Sequence, residues 1–413
     1  MAHQLFASLE LAHGPLLPNR IAKAAMEESL VAAGQVPGQK LEALYRRWGE
    51  GGAGLLITGN VMVHSAAMTS PAGVVLDNKA PLEPFRRLAG AAKSSGSLVW
   101  MQINHPGRQV MANMPGVAWA PSALAVNIGR GTKLFAHPVA MTAQQISETI
   151  DRFVLTAHRA ERSGFDGVEV HAAHGYLLSQ FLSPLTNQRT DEWGGSLENR
   201  ARLLTTIVTG IRSEVSSNFQ VAVKINSADF QRGGFAADDA QRVISLLAPL
   251  GVDLVELSGG NYESPAMMAG STADTRTHAR EAYFLDLATT LAHSSPLPLM
   301  LTGGIVRKAV AQRVLDSGVT MVGIGSALAL NPDLLHRWAS DHDDHVSIPP
   351  VRIADKSIAS AAAMARIRSY MRSIVRGKAP RVNQSPLVAL AVEYLRDAGA
   401  RRRYTRWFRR QQS

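Results

Sequence analysis

The chain has 413 residues, no cysteine and a net charge of +10. Without thiols there can be no disulfide, cysteine nucleophile, thiolate zinc site or cysteine-held iron–sulfur cluster. No apolar run approaches the roughly 20 residues that span a bilayer, and Met1–Arg20 lacks the basic start and apolar core of a secretory leader, so a soluble cytoplasmic protein is expected. The charge is uneven: 15 of the 43 Lys and Arg, but only three of the 33 Asp and Glu, follow residue 350. That tail carries +12 and the rest −2, so the high pI says nothing about nucleic acid binding by the body.

In chain order, the turn-rich segment Leu5–Asn19 reads as a lid on the bottom of a barrel. Eight β-like runs then alternate with helical patterns. The runs are 20–26, 54–61, 98–104, a fourth beginning at Gly167, 220–226, 252–258, 297–302 and 319–325. The helices are 40–50, 81–95, 142–163, 196–213 with Ser196 as N-cap, 237–250, 281–291 and 306–317. A long irregular insert occupies 105–141. Eight strand–helix alternations predict a parallel sheet with right-handed crossovers, closed as a (β/α)8 TIM barrel. An open doubly wound sheet would want a glycine fingerprint after the first strand, and Ala24-Ala25-Met26 is not one. We read 1–350 as the barrel and 351–413 as a basic helical C-terminal extension.

In such a barrel the C-terminal strand ends face one shared pocket. The fourth run, Gly167-Val168-Glu169-Val170-His171, leads into His174 and Tyr176. Two imidazoles can bind one oxygen and stabilise charge growing there. A phenol beside them can deliver a proton to a neighbouring carbon. A structural His pair is the bland alternative. A zinc site would prefer a helical His-Glu-x-x-His, which is absent. Lys224 and Gln102 lie on apolar strands. Each suits a buried cofactor edge, or else an ordinary salt bridge or backbone contact. Glycine pairs Gly303-Gly304 and Gly323-Gly325 follow the last two strands, where barrels bind phosphate on backbone N–H groups. They could also serve only as tight turns. Together these groups suit a flavin mononucleotide, which does hydride chemistry while the protein orients and polarises.

The run from His171 continues through Leu177 to Asn187-Gln188-Arg189-Thr190-Asp191-Glu192-Trp193-Gly194-Gly195-Ser196 and Asn199-Arg200. With Asn19-Arg20-Ile21, Gln102-Ile103-Asn104-His105-Pro106-Gly107-Arg108, Thr302-Gly303-Gly304 and Gly323-Ile324-Gly325, it resembles the old yellow enzyme family, the NADH:flavin oxidoreductases and FMN-dependent ene reductases. The resemblance spans about Leu17–Pro332. It implies tightly bound FMN, NADH or NADPH as hydride donor, and an enone-type small-molecule substrate. Ala25, Met26, Gly59 and Gln102 would contact the flavin ring, and Lys224 its pyrimidine edge. Gly303, Gly304, Gly325 and Ser326 would line the phosphate. His171 and His174 would bind the substrate carbonyl, and Tyr176 would protonate the adjacent carbon. Three departures stand out. Lys224 and Ser326 replace the family's frequent arginines, so we expect Arg307 to supply phosphate charge. Glu27 stands where relatives often carry a small residue by the flavin; it either faces the cofactor or turns outward.

The resemblance also implies a homo-oligomer. Within the flavin reading, oxygen or a quinone is the alternative acceptor. From another class, the tail Arg401–Arg410 interleaves cations and aromatics as single-strand binders do, and Leu387–Leu395 is apolar enough for an interfacial helix. The expected role is neither: a helical arm packed on a neighbouring subunit, with no nucleic acid or membrane partner.

Overall fold

A computed structural model of the chain describes residues 4–259, 263, 288–340, 342 and 345–412. Eight parallel strands form its centre: β1 (Ile21–Lys23), β2 (Leu55–Ile57), β3 (Leu98–Asn104), β4 (Gly167–Ala172), β5 (Gln220–Asn226), β6 (Leu254–Ser258), β7 (Leu299–Thr302) and β8 (Met321–Ile324). Each pairs with its sequence neighbours. β8 pairs with β1, which closes the cylinder. This is the (β/α)8 barrel, with strand positions close to those read from the pattern; β1 and β2 are shorter, because only their central residues pair on both sides.

Around it stand helices Gln39–Glu50, Glu83–Lys93, Ala143–Arg162, Leu197–Glu214, Ala237–Leu247 and Lys308–Asp316. Ser196 caps its helix by accepting the Asn199 N–H. Thr142 and Gln145 make a reciprocal capping box at the helix before β4, satisfying donors that a helix start otherwise leaves open. The 281–291 helix lies outside the described residues up to Ala288. So does the loop 262–268, apart from Glu263.

Two cores result from strand alternation. Outward residues such as Val99, Val168, Val170, Val221, Val223 and Val255 pack against the helices. Inward residues Ala22, Leu55, Ile57, Leu98, Trp100, Ala222, Leu254, Met300 and Met321 fill the lower barrel. Leu9, Leu11 and Leu17 of the N-terminal segment join this inner cluster from below, and Leu9 and Leu17 pair across a hairpin. Gln220 ties the plug in place: it accepts from the Trp100 indole at 2.9 Å and donates to the carbonyls of His13 and Pro15. The segment is therefore the bottom lid that its turns suggested. Higher up, the inward positions change character to Gln102, Glu169, His171, Lys224 and Glu256, all buried.

The C-terminal extension forms two helices, Lys356–Val375 and Pro386–Gln412. They pack on their own barrel. Tyr404 is fully buried with Met62, Met68, Val75, Val110 and Met114, with Trp407 and Phe408 against the same cluster. Its hydroxyl donates to the Ser65 carbonyl at 2.8 Å. The aromatics read as a stacking platform thus face inward, and their burial offsets the entropy of ordering the arm.

Candidate active site

The chemistry-bearing strand is β4. His171, at its end, is 3% exposed. Its ring meets those of His174 and Tyr176 edge-on, both at 5.0 Å between centroids and 83° between planes. The structure therefore brings the three sequence-predicted groups together. The Ala173 N–H donates to His171 Nδ1 at 3.2 Å, which places the imidazole proton on Nε2. His174 Nε2 lies 2.7 Å from the Ser258 hydroxyl at the end of β6. Burial lowers the pKa of both histidines, that of His171 far below its usual value and that of His174 to about 3, and the Lys224 cation adds to the shift. Both rings are thus neutral hydrogen-bonding groups rather than proton donors.

The turn that presents them is strained and held. His174 has φ 59°, a left-handed conformation uncommon for a non-glycine residue. Its N–H is bound by Asn226 Oδ1 at 3.1 Å. Gln109 Nε2 donates to the carbonyls of His174 and Gly175 at 3.0 and 2.7 Å. The sequence does not show that Asn226, Gln109 and Ser258 hold this turn, because they come from three other strand ends or loops.

Below the histidines, Lys224 Nζ lies 2.6 Å from Glu256 Oε1 on the neighbouring strand, and Gln102 Nε2 donates to Glu169 Oε2 at 2.5 Å. Of the alternatives weighed for Lys224, the salt bridge is present. A second buried cation escaped the sequence reading. Lys23, on β1, donates to the Ile57 carbonyl at 2.7 Å and the Tyr45 hydroxyl at 3.1 Å. It sits over the Tyr45 and Trp48 rings and 4.0 Å from Glu28. Burial lowers its pKa to about 8. The argument applied to Lys224, a charge on an apolar strand, would have found it. Glu28 accepts the Tyr45 hydroxyl and, at 3.0 Å, the Gly59 N–H. A Cβ on Gly59 would lie 2.3 Å from both Glu28 Oε2 and the Met26 carbonyl, so only glycine lets the β1 and β2 loops meet.

Glu27 needs correcting as a cofactor-facing residue. Its carboxylate accepts from Arg368 Nη2 at 2.7 Å and from the Thr69 hydroxyl at 3.1 Å. Arg368 also holds Glu393 at 3.2 Å, and Arg372 holds it at 2.6 Å. A carboxylate is cheaper beside the Arg368 guanidinium than against a ring that gains electrons. Glu27 is the point where the C-terminal helices grip the first active-site loop.

Ala25, Met26, His174, Thr302, Gly325 and Ser326 stay half-buried and Gly303 and Gly304 exposed, above a buried polar layer. Gly303 and Gly304 have φ 142° and 67°. Gly325 precedes the short helix Ser326–Leu330, which has no side-chain cap, and lies near Met26. Arg307 is exposed and pairs through its backbone with His345. Inside the mouth, both amide atoms of the buried Asn104 are unpartnered by protein. Exposed glycine backbone above a buried polar layer fits the phosphate and ring of FMN. At the rim, Arg108 of the insert pairs with Glu263 at 2.6 Å. They border a cleft of about 350 Å³ with Leu124, Asn127, Thr186 and Gln231. The insert therefore meets Glu263 of the segment after β6. Among the described residues no helix is long and apolar enough to cross a membrane.

Comparison with known proteins agrees with this fold. Residues 4–345 match the model of the NADH:flavin oxidoreductase / NADH oxidase family. The NADH-dependent flavin oxidoreductase iliE of Hypocrea jecorina is 38% identical over 364 residues, covering 82% of this chain and 90% of its own. Among solved structures, an old yellow enzyme homologue from Zymomonas mobilis superposes with a TM-score of 0.69 at 25% identity, covering 83% of this chain and 95% of that one. A 2-naphthoyl-CoA reductase complex gives 0.75 at 24% identity; 94% of this chain matches only 58% of that longer protein. The chain therefore belongs to the NADH:flavin oxidoreductase / NADH oxidase family, the old yellow enzymes, and is a flavin-dependent NAD(P)H oxidoreductase that uses FMN.

Proposed function

We propose that this oxidoreductase reduces the C=C bond of α,β-unsaturated carbonyl compounds. The observation that carries the reading is the meeting of His171 with both His174 and Tyr176 at the end of β4. Ala25, Met26, Gly59 and Gln102 would hold the isoalloxazine, with Lys224 near its pyrimidine edge. Gly303, Gly304, Gly325 and Ser326 would take the phosphate, and Arg307 would swing in to supply charge. When bound, FMN supplies hydride transfer between nicotinamide and substrate. Nε2–H of His171, and His174 once released or supported by Ser258, would donate to the substrate oxygen and draw electron density from the alkene. Tyr176 Oη would give its proton to the α carbon.

Stopped-flow measurement of the two half-reactions of Tyr176→Phe tests this. Reduction by NADH should be unchanged, while reoxidation by 2-cyclohexenone should slow by about 10²-fold or more. Equal slowing of both halves would refute the proton role. Oxygen turnover that the enone cannot outcompete would transfer the assignment to an NADH oxidase.

A further inference from the structure

Five ionisable side chains are packed into the barrel beneath the mouth. They are Lys23 on β1, Glu28 just after it, Glu169 on β4, Lys224 on β5 and Glu256 on β6, each no more than 8% exposed. Lys23 is balanced by Glu28 and Lys224 by Glu256. Glu169 is left over. The neutral imidazoles of His171 and His174 cannot balance it, and the Gln102 amide that donates to it carries no charge. An isolated carboxylate in such a site would be costly.

The two glutamates also show how that cost is avoided. Gln102 uses one oxygen of Glu169, and Lys224 uses one oxygen of Glu256. The remaining oxygens, Glu169 Oε1 and Glu256 Oε2, are both buried with no well-formed hydrogen bond, and the Thr302 hydroxyl lies beside Glu256. The two carboxyl groups lie within hydrogen-bonding reach of each other. One proton placed between them satisfies both orphaned oxygens and makes the set neutral.

We propose that Glu169 and Glu256 share a single proton, resident on Glu169, forming with Lys224 a neutral acid–carboxylate–ammonium triad under the active site. Burial and the Glu256 charge both push the Glu169 carboxyl far above the ordinary range, while Lys224 holds Glu256 down to about 2. The pair titrates as a unit. Glu169 is a positioning residue: it orients Gln102 from one side and Glu256 with Lys224 from the other. If FMN lies where the reading above places it, the triad is the charge below its pyrimidine edge. The Lys224 cation there is already neutralised by Glu256.

Infrared spectroscopy of the full-length protein, both as purified and stripped of flavin, tests the proposal without relying on turnover. At pH 7 the wild type should show a carboxylic-acid C=O band that shifts on ¹³C-glutamate labelling and is lost in Glu169→Gln. Absence of the labelled band, or its loss only in Glu256→Gln, would overturn the assignment. Thermal melts supply a second readout. Gln mimics a neutral acid, so Glu169→Gln should melt close to wild type. Glu256→Gln removes the carboxylate bonded to Lys224 and leaves Glu169 to ionise in its place, without the direct hydrogen bond, and should melt roughly 3–6 °C lower. Equal losses in the two variants would refute an asymmetric pair. Should either variant fail to fold, the labelled wild-type spectrum decides. The wild-type band would persist if the flavin reading failed, so the two claims fail separately.

Discussion

The Glu27–Arg368 contact ties the C-terminal helices to the loop carrying Ala25 and Met26, and its strength can be worked out. The side chains are 19% and 13% exposed, with N to O at 2.7 Å. Exposed ion pairs contribute about 0.2–1 kcal/mol, and breaking a fully buried one costs about 3–5 kcal/mol. A mostly shielded pair should fall between, with a coupling of about 1–2 kcal/mol. Arg368→Ala also loses Glu393 at 3.2 Å, so the single variant should cost about 2–3 kcal/mol. At an unfolding entropy near 2 cal/mol/K per residue, that lowers the melting temperature of this chain by about 2–4 °C. Wild type, Glu27→Gln, Arg368→Ala and the double variant form a cycle, read by thermal melts and by flavin retained through gel filtration. The double variant should be no worse than Arg368→Ala alone, and both arginine variants should shed flavin faster. Strictly additive losses with unchanged flavin retention would show that the contact neither couples the two elements nor supports the loop.

Other outcomes follow from the same geometry. Ser258→Ala removes the hydroxyl 2.7 Å from His174 Nε2 and should weaken binding of a phenolic ligand by about tenfold, the scale of one hydrogen bond; titration of the flavin charge-transfer band measures it. Tyr404→Ala empties a fully buried site and should destabilise the protein by about 3–5 kcal/mol, with early tryptic cleavage in the arm. His171 and His105 are kept neutral chiefly by burial, whereas in the unfolded chain both take a proton below about pH 6.5. The unfolded state therefore binds more protons there, and stability must fall as pH drops, by about 2 kcal/mol per histidine at pH 5. Urea melts at pH 7.5 and 5 should show it, and His171→Asn should reduce the difference; an unaltered pH dependence would contradict it.

The barrel was legible because its signal is local. Each strand is a short apolar run and each helix an amphipathic repeat, and once eight of them alternate, closure follows from the handedness of the crossovers. His171, His174 and Tyr176 were legible too, since a strand end and a tight turn place all three within six residues. What could not be read was the facing of residues in the barrel wall. Val168, Glu169 and Val170 alternate as in a half-exposed strand, which would put Glu169 in water; but both faces of this sheet are covered, and Glu169 points into the barrel while the valines meet the helices. The partners of Lys224, His174 and Glu27 are 32, 84 and 341 positions away, and no periodicity encodes such distances. Sequence therefore determined which groups gather at the strand ends; only the closed barrel decided which of them neutralise one another, because in a low-dielectric interior a charge is defined by its nearest neighbours in space.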